Sequence, residues 1–237
     1  NREINTALQW KISDKQFLDF NYAYSRQGNI YAGDTQYSNS NISTIVPELY
    51  GQETNRMYRQ AYSLTHNGIW DWGQSKLTLS YEDTHNTRLA EGSTGKVEGM
   101  INSDTYNTSR YKTWRSNNEY TIPFSLWVDN TLTMGFEWNK EQLNDPASIQ
   151  ETDATGIEIN GVSGDPSQRS PKNSQELSAV YLEDSIDAFD GTTLIPGLRL
   201  DYSDRFGSNW SPSLNIQQAL TDTLQLKAGI ARVFKAP

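Results

Sequence analysis

The chain has 237 residues, a net charge of -9, no Cys and 2 His, with 7 Trp and 13 Tyr among its aromatics. The absence of Cys removes disulfides and Cys-based metal sites, and the acidic balance argues against nucleic acid as a partner. Mean hydropathy is well below zero and no run approaches the ~18 apolar residues that a membrane helix needs, so a helical membrane protein is excluded.

In chain order, the dominant signal is a two-residue alternation of apolar and polar side chains. Ile4, Leu8, Trp10 and Ile12 form a first row, and Leu18, Phe20, Tyr22 and Tyr24 a second. Tyr62 and Leu64 mark a third strand, and Leu77, Leu79 and Tyr81 a fourth. The fifth is the poorest match, with Trp114, Tyr120 and Ile122 apolar. Leu132, Met134, Phe136 and Trp138 give a sixth, and Val180, Leu182 and Ile186 a seventh. Leu194, Leu198, Leu200 and Tyr202 follow, then Trp210, Leu214 and Ile216, then Leu224, Leu226, Ala228 and Ile230. Strand side chains alternate between faces, so each segment has an oily side and a wet one bearing residues such as Thr78, Ser80, Glu137, Arg199 and Asp201. A length of about ten residues suits a tilted strand crossing a bilayer, and Trp and Tyr are the residues that barrels place in interfacial girdles. The predicted fold class is all-β, a transmembrane antiparallel β-barrel with a polar lumen.

The breaks alternate in length. Short ones are predicted at Ser13–Gln16, Asp71–Gln74, Pro123–Trp127, Asp187–Thr192 and Thr221–Thr223, and longer ones from Gln27 to about Arg56, His85 to about Arg110, Glu141 to about Gln175 and, more briefly, Ser203 to Asn209. Outer-membrane barrels have short periplasmic turns and long extracellular loops. About ten strands in five hairpins result, with both ends of the piece on the outer side. Ten strands with unpaired edges in hydrocarbon would leave backbone groups unsatisfied at several kcal/mol each, so further strands must come either from additional copies or chains or, the preferred expectation, from a longer polypeptide of which this is a fragment.

Four stretches carry more than the alternation does: SRQGNIYAGDTQ (Ser25–Gln36), ETNRMYRQAYSLTHNG (Glu53–Gly68), NWSPSLNI (Asn209–Ile216) and LKAGIARVFKAP (Leu226–Pro237). They closely resemble the TonB-dependent ferric enterobactin receptors of the outer membrane of Gram-negative bacteria, and the likeness runs in order over nearly the whole chain, least in the long loops. The resemblance implies a 22-stranded barrel plugged by an N-terminal domain, which imports a ferric catecholate siderophore with energy from TonB. Residues 1–237 would then be the central part of the barrel, without the plug, the segment that meets TonB, or the remaining strands. No enzymatic activity and no cofactor are implied, and the iron travels as part of the ligand.

A tris-catecholate ferric complex carries three negative charges and flat rings, so its receptor needs cations that tolerate burial and aromatic faces for stacking. By the resemblance, Tyr31, Arg56, Tyr58, Arg59 and Arg88 fall on positions lining the siderophore site. Period two points Arg56 and Tyr58 to one side and Arg59 to the other unless the chain twists them together. The residues alone leave other roles open: a rim Arg can hold lumen carboxylates or the phosphates of outer-membrane lipopolysaccharide, and Tyr31 and Tyr58 can be girdle aromatics.

Other chemistry finds little support. His66 and His85 are far apart, so neither a catalytic triad nor a His-rich metal site is expected. Asp153–Gly161 (DATGIEING) fails the spacing of a calcium loop. A porin would share the strand rhythm without the Arg- and Tyr-rich loops, and a soluble carbohydrate-binding sandwich or propeller would have strands of about five or six residues.

Overall fold

A computed structural model describes residues 1–30, 51–91, 101–146 and 170–233. Ten antiparallel strands form one sheet whose spatial order is the sequence order: β1 (Arg2–Ser13), β2 (Gln16–Ile30), β3 (Glu53–Trp70), β4 (Gly73–Glu91), β5 (Ile101–Ser125), β6 (Asp129–Asn144), β7 (Lys172–Phe189), β8 (Thr192–Ser203), β9 (Gly207–Thr221) and β10 (Leu224–Ala231). Each strand pairs only with its chain neighbours, and β1 and β10 are the two edges of the sheet. The five hairpins are those expected, but the strands are longer on the outer side than the hydropathy pattern allows. β2 reaches Ile30, β4 and β5 reach Glu91 and Ile101, and β6 and β7 reach Asn144 and Lys172. The connection between β8 and β9 is a tight turn over Asp204–Phe206 rather than a loop from Ser203 to Asn209. The reason is physical. Alternation of oily and wet side chains ends where lipid ends, while the hydrogen-bonded ladder continues wherever Thr, Asn, Arg and Tyr pairs still fit a pleated surface.

The sheet has no packed interior of its own. Ala179 is the only buried hydrophobic side chain among the described residues, while Leu8, Trp10, Leu79, Val180, Leu198, Leu226 and Ile230 are exposed. The register gathers these exposed side chains on one face: Leu8 faces Phe20, Phe20 faces Leu64, and Leu64 faces Leu79. Further along, Phe136 faces Val180, Val180 faces Leu200, and Leu200 faces Trp210. A continuous apolar face of this extent is untenable in water and expected against hydrocarbon.

Two aromatic rows bound the apolar band on β2 to β5. Near the outer side, Tyr22, Tyr62, Tyr81 and Trp114 follow one another with ring centres 5.0, 6.3 and 4.2 Å apart. Near the short turns, His66, Trp70, Trp72 and Tyr120 do the same at 6.4, 6.0 and 6.2 Å. Tyr62 and Trp70 share β3, about 26 Å apart along the strand, and a ~40° tilt leaves roughly 20 Å, near the ~25 Å apolar band of outer-membrane barrels. The hairpin under Trp70 and Trp72 closes through Gly73 at φ 148°, where a Cβ would sit 2.1 Å from the Thr121 carbonyl oxygen. Neighbouring turns are tied by the Lys15–Asp71 ion pair at 3.1 Å and by the Ile69 amide donating to the Lys15 carbonyl at 2.8 Å.

The weak fifth strand has an explanation in this register. Ser116 and Asn118 lie on the lipid face between Trp114 and Tyr120, opposite Trp138 and Phe136, and the Asn118 amide donates to the Ser116 hydroxyl at 3.1 Å. Two polar side chains that satisfy one another can occupy a lipid-facing position, at the cost of blurring the alternation.

Candidate functional site

On the lumen face the polar residues form ladders that link non-adjacent strands. Asp19 accepts from Gln9 and from Asn67, both at 2.8 Å, and Thr65 and Thr78 share a hydrogen bond at 3.0 Å. Toward β8, Arg199 donates to Glu137 at 2.6 Å and to Asp201 at 2.9 Å, with its guanidinium 5.9 Å from the centre of the Tyr181 ring. The Tyr181 hydroxyl crosses β6 to donate to Glu119 at 2.9 Å. That crossing requires Gly135, because a Cβ there would lie 2.3 Å from the Tyr181 ring.

Nearer the outer rim, the five residues expected at a ligand site separate by face. Tyr31 lies outside the described residues. Arg56 and Tyr58 extend the lipid-facing parity of Tyr62 upward, beyond the aromatic row, while Arg59 shares the lumen side with Ser63 and stands opposite Thr84. Arg59 donates to Glu82 at 2.8 Å, and Glu82 also accepts from Thr84 at 3.3 Å. Arg88 is exposed on the lumen side, opposite Asn55. The structure thus brings Arg56 and Tyr58 together, places Arg59 and Arg88 on the other face, and leaves the two pairs apart.

The outward pair belongs to a cluster that includes Arg26 and Glu53. Arg26 donates to both Glu53 oxygens at 3.1 and 2.8 Å, and Arg56 does so at 2.6 and 3.2 Å. Arg56 reaches the Tyr58 hydroxyl at 3.5 Å, and Arg26 lies 5.9 Å from the Tyr58 ring centre. The hydrogen bonds from Arg56, and then the charge of Arg26, hold the Glu53 carboxyl below its ordinary range, and Arg26 and Arg56 together lower the Tyr58 phenol. The Tyr106 hydroxyl donates to the Glu53 carbonyl at 3.2 Å, so the cluster also fastens β5 to the head of β3. Arg26 was not singled out in the sequence. Counting in twos from Tyr22 and Tyr24 would have found it, since the same parity carries it to the position opposite Tyr58.

Among the described residues there is no group of three or more His, Asp or Glu able to hold a metal ion. The geometry offers an ion-paired outer rim and, on one face of the sheet, a wall of joined polar side chains.

Comparison with known proteins agrees with this architecture. Residues 8–237 match the family described as TonB dependent receptor-like, beta-barrel. The chain is 46% identical over its whole length to the Ferric enterobactin receptor PirA of Pseudomonas aeruginosa and 41% identical to the Ferrienterobactin receptor of Escherichia coli, covering 32% of each. Among solved structures, a mutant of the ferric enterobactin receptor PfeA of Pseudomonas aeruginosa in complex with enterobactin matches 99% of this chain and 33% of its own, at 43% identity and a TM-score of 0.86. The siderophore receptor PirA of Acinetobacter baumannii matches over the same shares at 42% identity and a TM-score of 0.84. The chain therefore spans about a third of the length of the relatives it matches. A family match over nearly every residue, on a sheet that is lipid-facing outside and polar inside, establishes that the chain belongs to the TonB-dependent receptor-like β-barrel family.

Proposed function

We propose that these residues are the central part of the barrel wall of an outer-membrane receptor that captures a ferric catecholate siderophore of the enterobactin kind and imports it with energy delivered by TonB. The observation that carries this reading is identity of 41 to 46% along the entire chain with receptors named for enterobactin. In this reading the plug domain, the segment that meets TonB and the remaining strands belong to parts of the receptor beyond these residues, and those strands close the edges at β1 and β10. Iron enters as cargo inside the siderophore.

The two faces divide the work at the rim. Arg59 and Arg88, on the lumen side, supply positive charge toward a trianionic ligand, and Tyr31, one position past the described end of β2, supplies a ring for a catechol to stack on. Arg56 and Tyr58, braced outward with Arg26 and Glu53, hold the root from which the segment after Ile30 departs. The test is tryptophan-fluorescence quenching of the full-length receptor in detergent, titrated with a ferric catecholate and in parallel with a ferric hydroxamate. Saturable quenching by the catecholate alone, weakened and made less salt-dependent by Arg59→Ala with Arg88→Ala, is the expected result. Equal quenching by both ligands, or none, would overturn the ligand class.

A further inference from the structure

Beyond the ligand site, the outward face above the aromatic row carries charge that the lumen does not explain. Two residues above Trp114 on β5 stands Lys112, and two above that Arg110, with Lys172 two strands away in the same row as Arg110, beyond Asn144 of β6. Arg110, Lys112 and Lys172 line an open groove of about 560 Å³ over β5, β6 and β7. All three extend the parity of Trp114 and of Lys140 beside it, so their side chains leave the sheet on the side that faces lipid lower down.

We propose that this groove binds a phosphate group on the headgroup of an outer-leaflet glycolipid, gripped by Lys112 and Lys172 with Arg110 forming its wall. Height is the first argument. Each two-residue step is about 6.6 Å along a strand and ~5 Å across a membrane at ~40° tilt, which puts the three cations roughly 5 to 10 Å above the aromatic row. That is the depth of the headgroup layer, which occupies roughly 5 to 8 Å beyond the hydrocarbon on each side.

Charge is the second. Arg26 and Arg56 are matched by Glu53, and Arg110 meets Asp83 together with His85, but neither Lys112 nor Lys172 meets a carboxylate among the described residues. Below the groove Lys140 already has Glu176 at 3.5 Å, and Glu176 also accepts from Trp138 at 2.8 Å. Two unmatched ammonium groups over one groove, in a chain of net charge -9, ask for an anion from outside the protein. At this height and on this face, a lipid phosphate is the anion within reach.

The inference rests on the membrane placement and stands apart from the siderophore reading, so a receptor that binds no ferric catecholate would leave it intact. It is tested by native mass spectrometry of the full-length receptor incubated with bis-phosphorylated lipid A, with dephosphorylated lipid A, or with inorganic phosphate. The proteins compared are the unaltered receptor, Lys112→Ala with Lys172→Ala, Lys112→Arg with Lys172→Arg, and Lys76→Ala on the lumen face as control. The expected result is retention of phosphorylated lipid that weakens about 30-fold in the double Ala variant, persists in the double Arg variant and is unchanged in the control. Equal retention by the double Ala variant would overturn the proposal, and so would equal retention of the dephosphorylated lipid. Inorganic phosphate binding as tightly as the lipid would overturn the lipid as occupant, leaving a site for the free anion.

Discussion

The two faces of this sheet are built from the same strands yet are held to different standards. Outside, Phe136, Leu182, Leu198 and their neighbours touch hydrocarbon, which accepts any oily shape and rejects charge. Inside, Arg199, Glu137, Asp201, Tyr181 and Glu119 are joined atom to atom, so geometry matters there and polarity alone is not enough. The contrast teaches that the outer face selects residues by class and the lumen face selects them by partner.

The sharpest way to break this comparison is to put one charge on each side at one height. Leu182 faces lipid midway down β7 and Glu183 beside it faces the lumen. Leu182→Arg is expected to destabilise the full-length receptor by about 2 to 4 kcal/mol in urea unfolding from phospholipid vesicles, and Glu183→Arg by no more than about 1 kcal/mol. Similar costs for both would mean that the faces are not distinct solvents.

Next in size is a test of partner selection in the lumen. Gly135→Val drives a side chain into the Tyr181 ring and is expected to cost about 1 to 3 kcal/mol, a penalty that Tyr181→Ala should relieve when the two are combined. A smaller loss, about 1 kcal/mol, is expected for Arg199→Ala, because Glu137 and Asp201 are partly solvated and their pairing is correspondingly screened. A double-mutant cycle between Arg199 and Glu137 in the same unfolding assay checks it, and zero coupling would make the network ornamental.

The smallest effect concerns the outward rim and depends on pH. Glu53 is held below its ordinary range in the folded chain, so its contribution is present above the ordinary Glu value of 4.5 and is lost as pH falls through the lowered one. The difference in melting temperature between the unaltered receptor and Glu53→Gln should therefore be largest near neutrality and shrink as the solution is acidified below about pH 4. A difference that grows on acidification would show that Glu53 is not paired as described.

Faces were legible in the sequence because lipid enforces them residue by residue, and the rows from Ile4 to Ile230 fall where alternation puts them. The outer strand ends were not legible. Above Tyr62 and Tyr81 both sides of the sheet are wet, so Gln27 to Asn29 and His85 to Arg88 read as loop although each is paired with β3. At the rim, alternation separated Arg56 and Tyr58 from Arg59, but it named no partners. That Arg26 joins Arg56 on Glu53 depends on the cross-strand register of β2 with β3, a long-range fact that no local spacing contains.

Gly135 bears on how such a wall can be assembled correctly. A hairpin that slips by one residue turns every side chain to the wrong face and is rejected by the membrane, but a slip by two keeps oil outside and water inside and goes unnoticed by hydropathy. A shift of β7 by two along β6 would set the Tyr181 ring over Thr133 or Glu137, where a side chain stands in its way, instead of over Gly135. One missing side chain thus works as a proofreading notch, letting the growing sheet distinguish its true alignment from the error that the bilayer itself cannot detect.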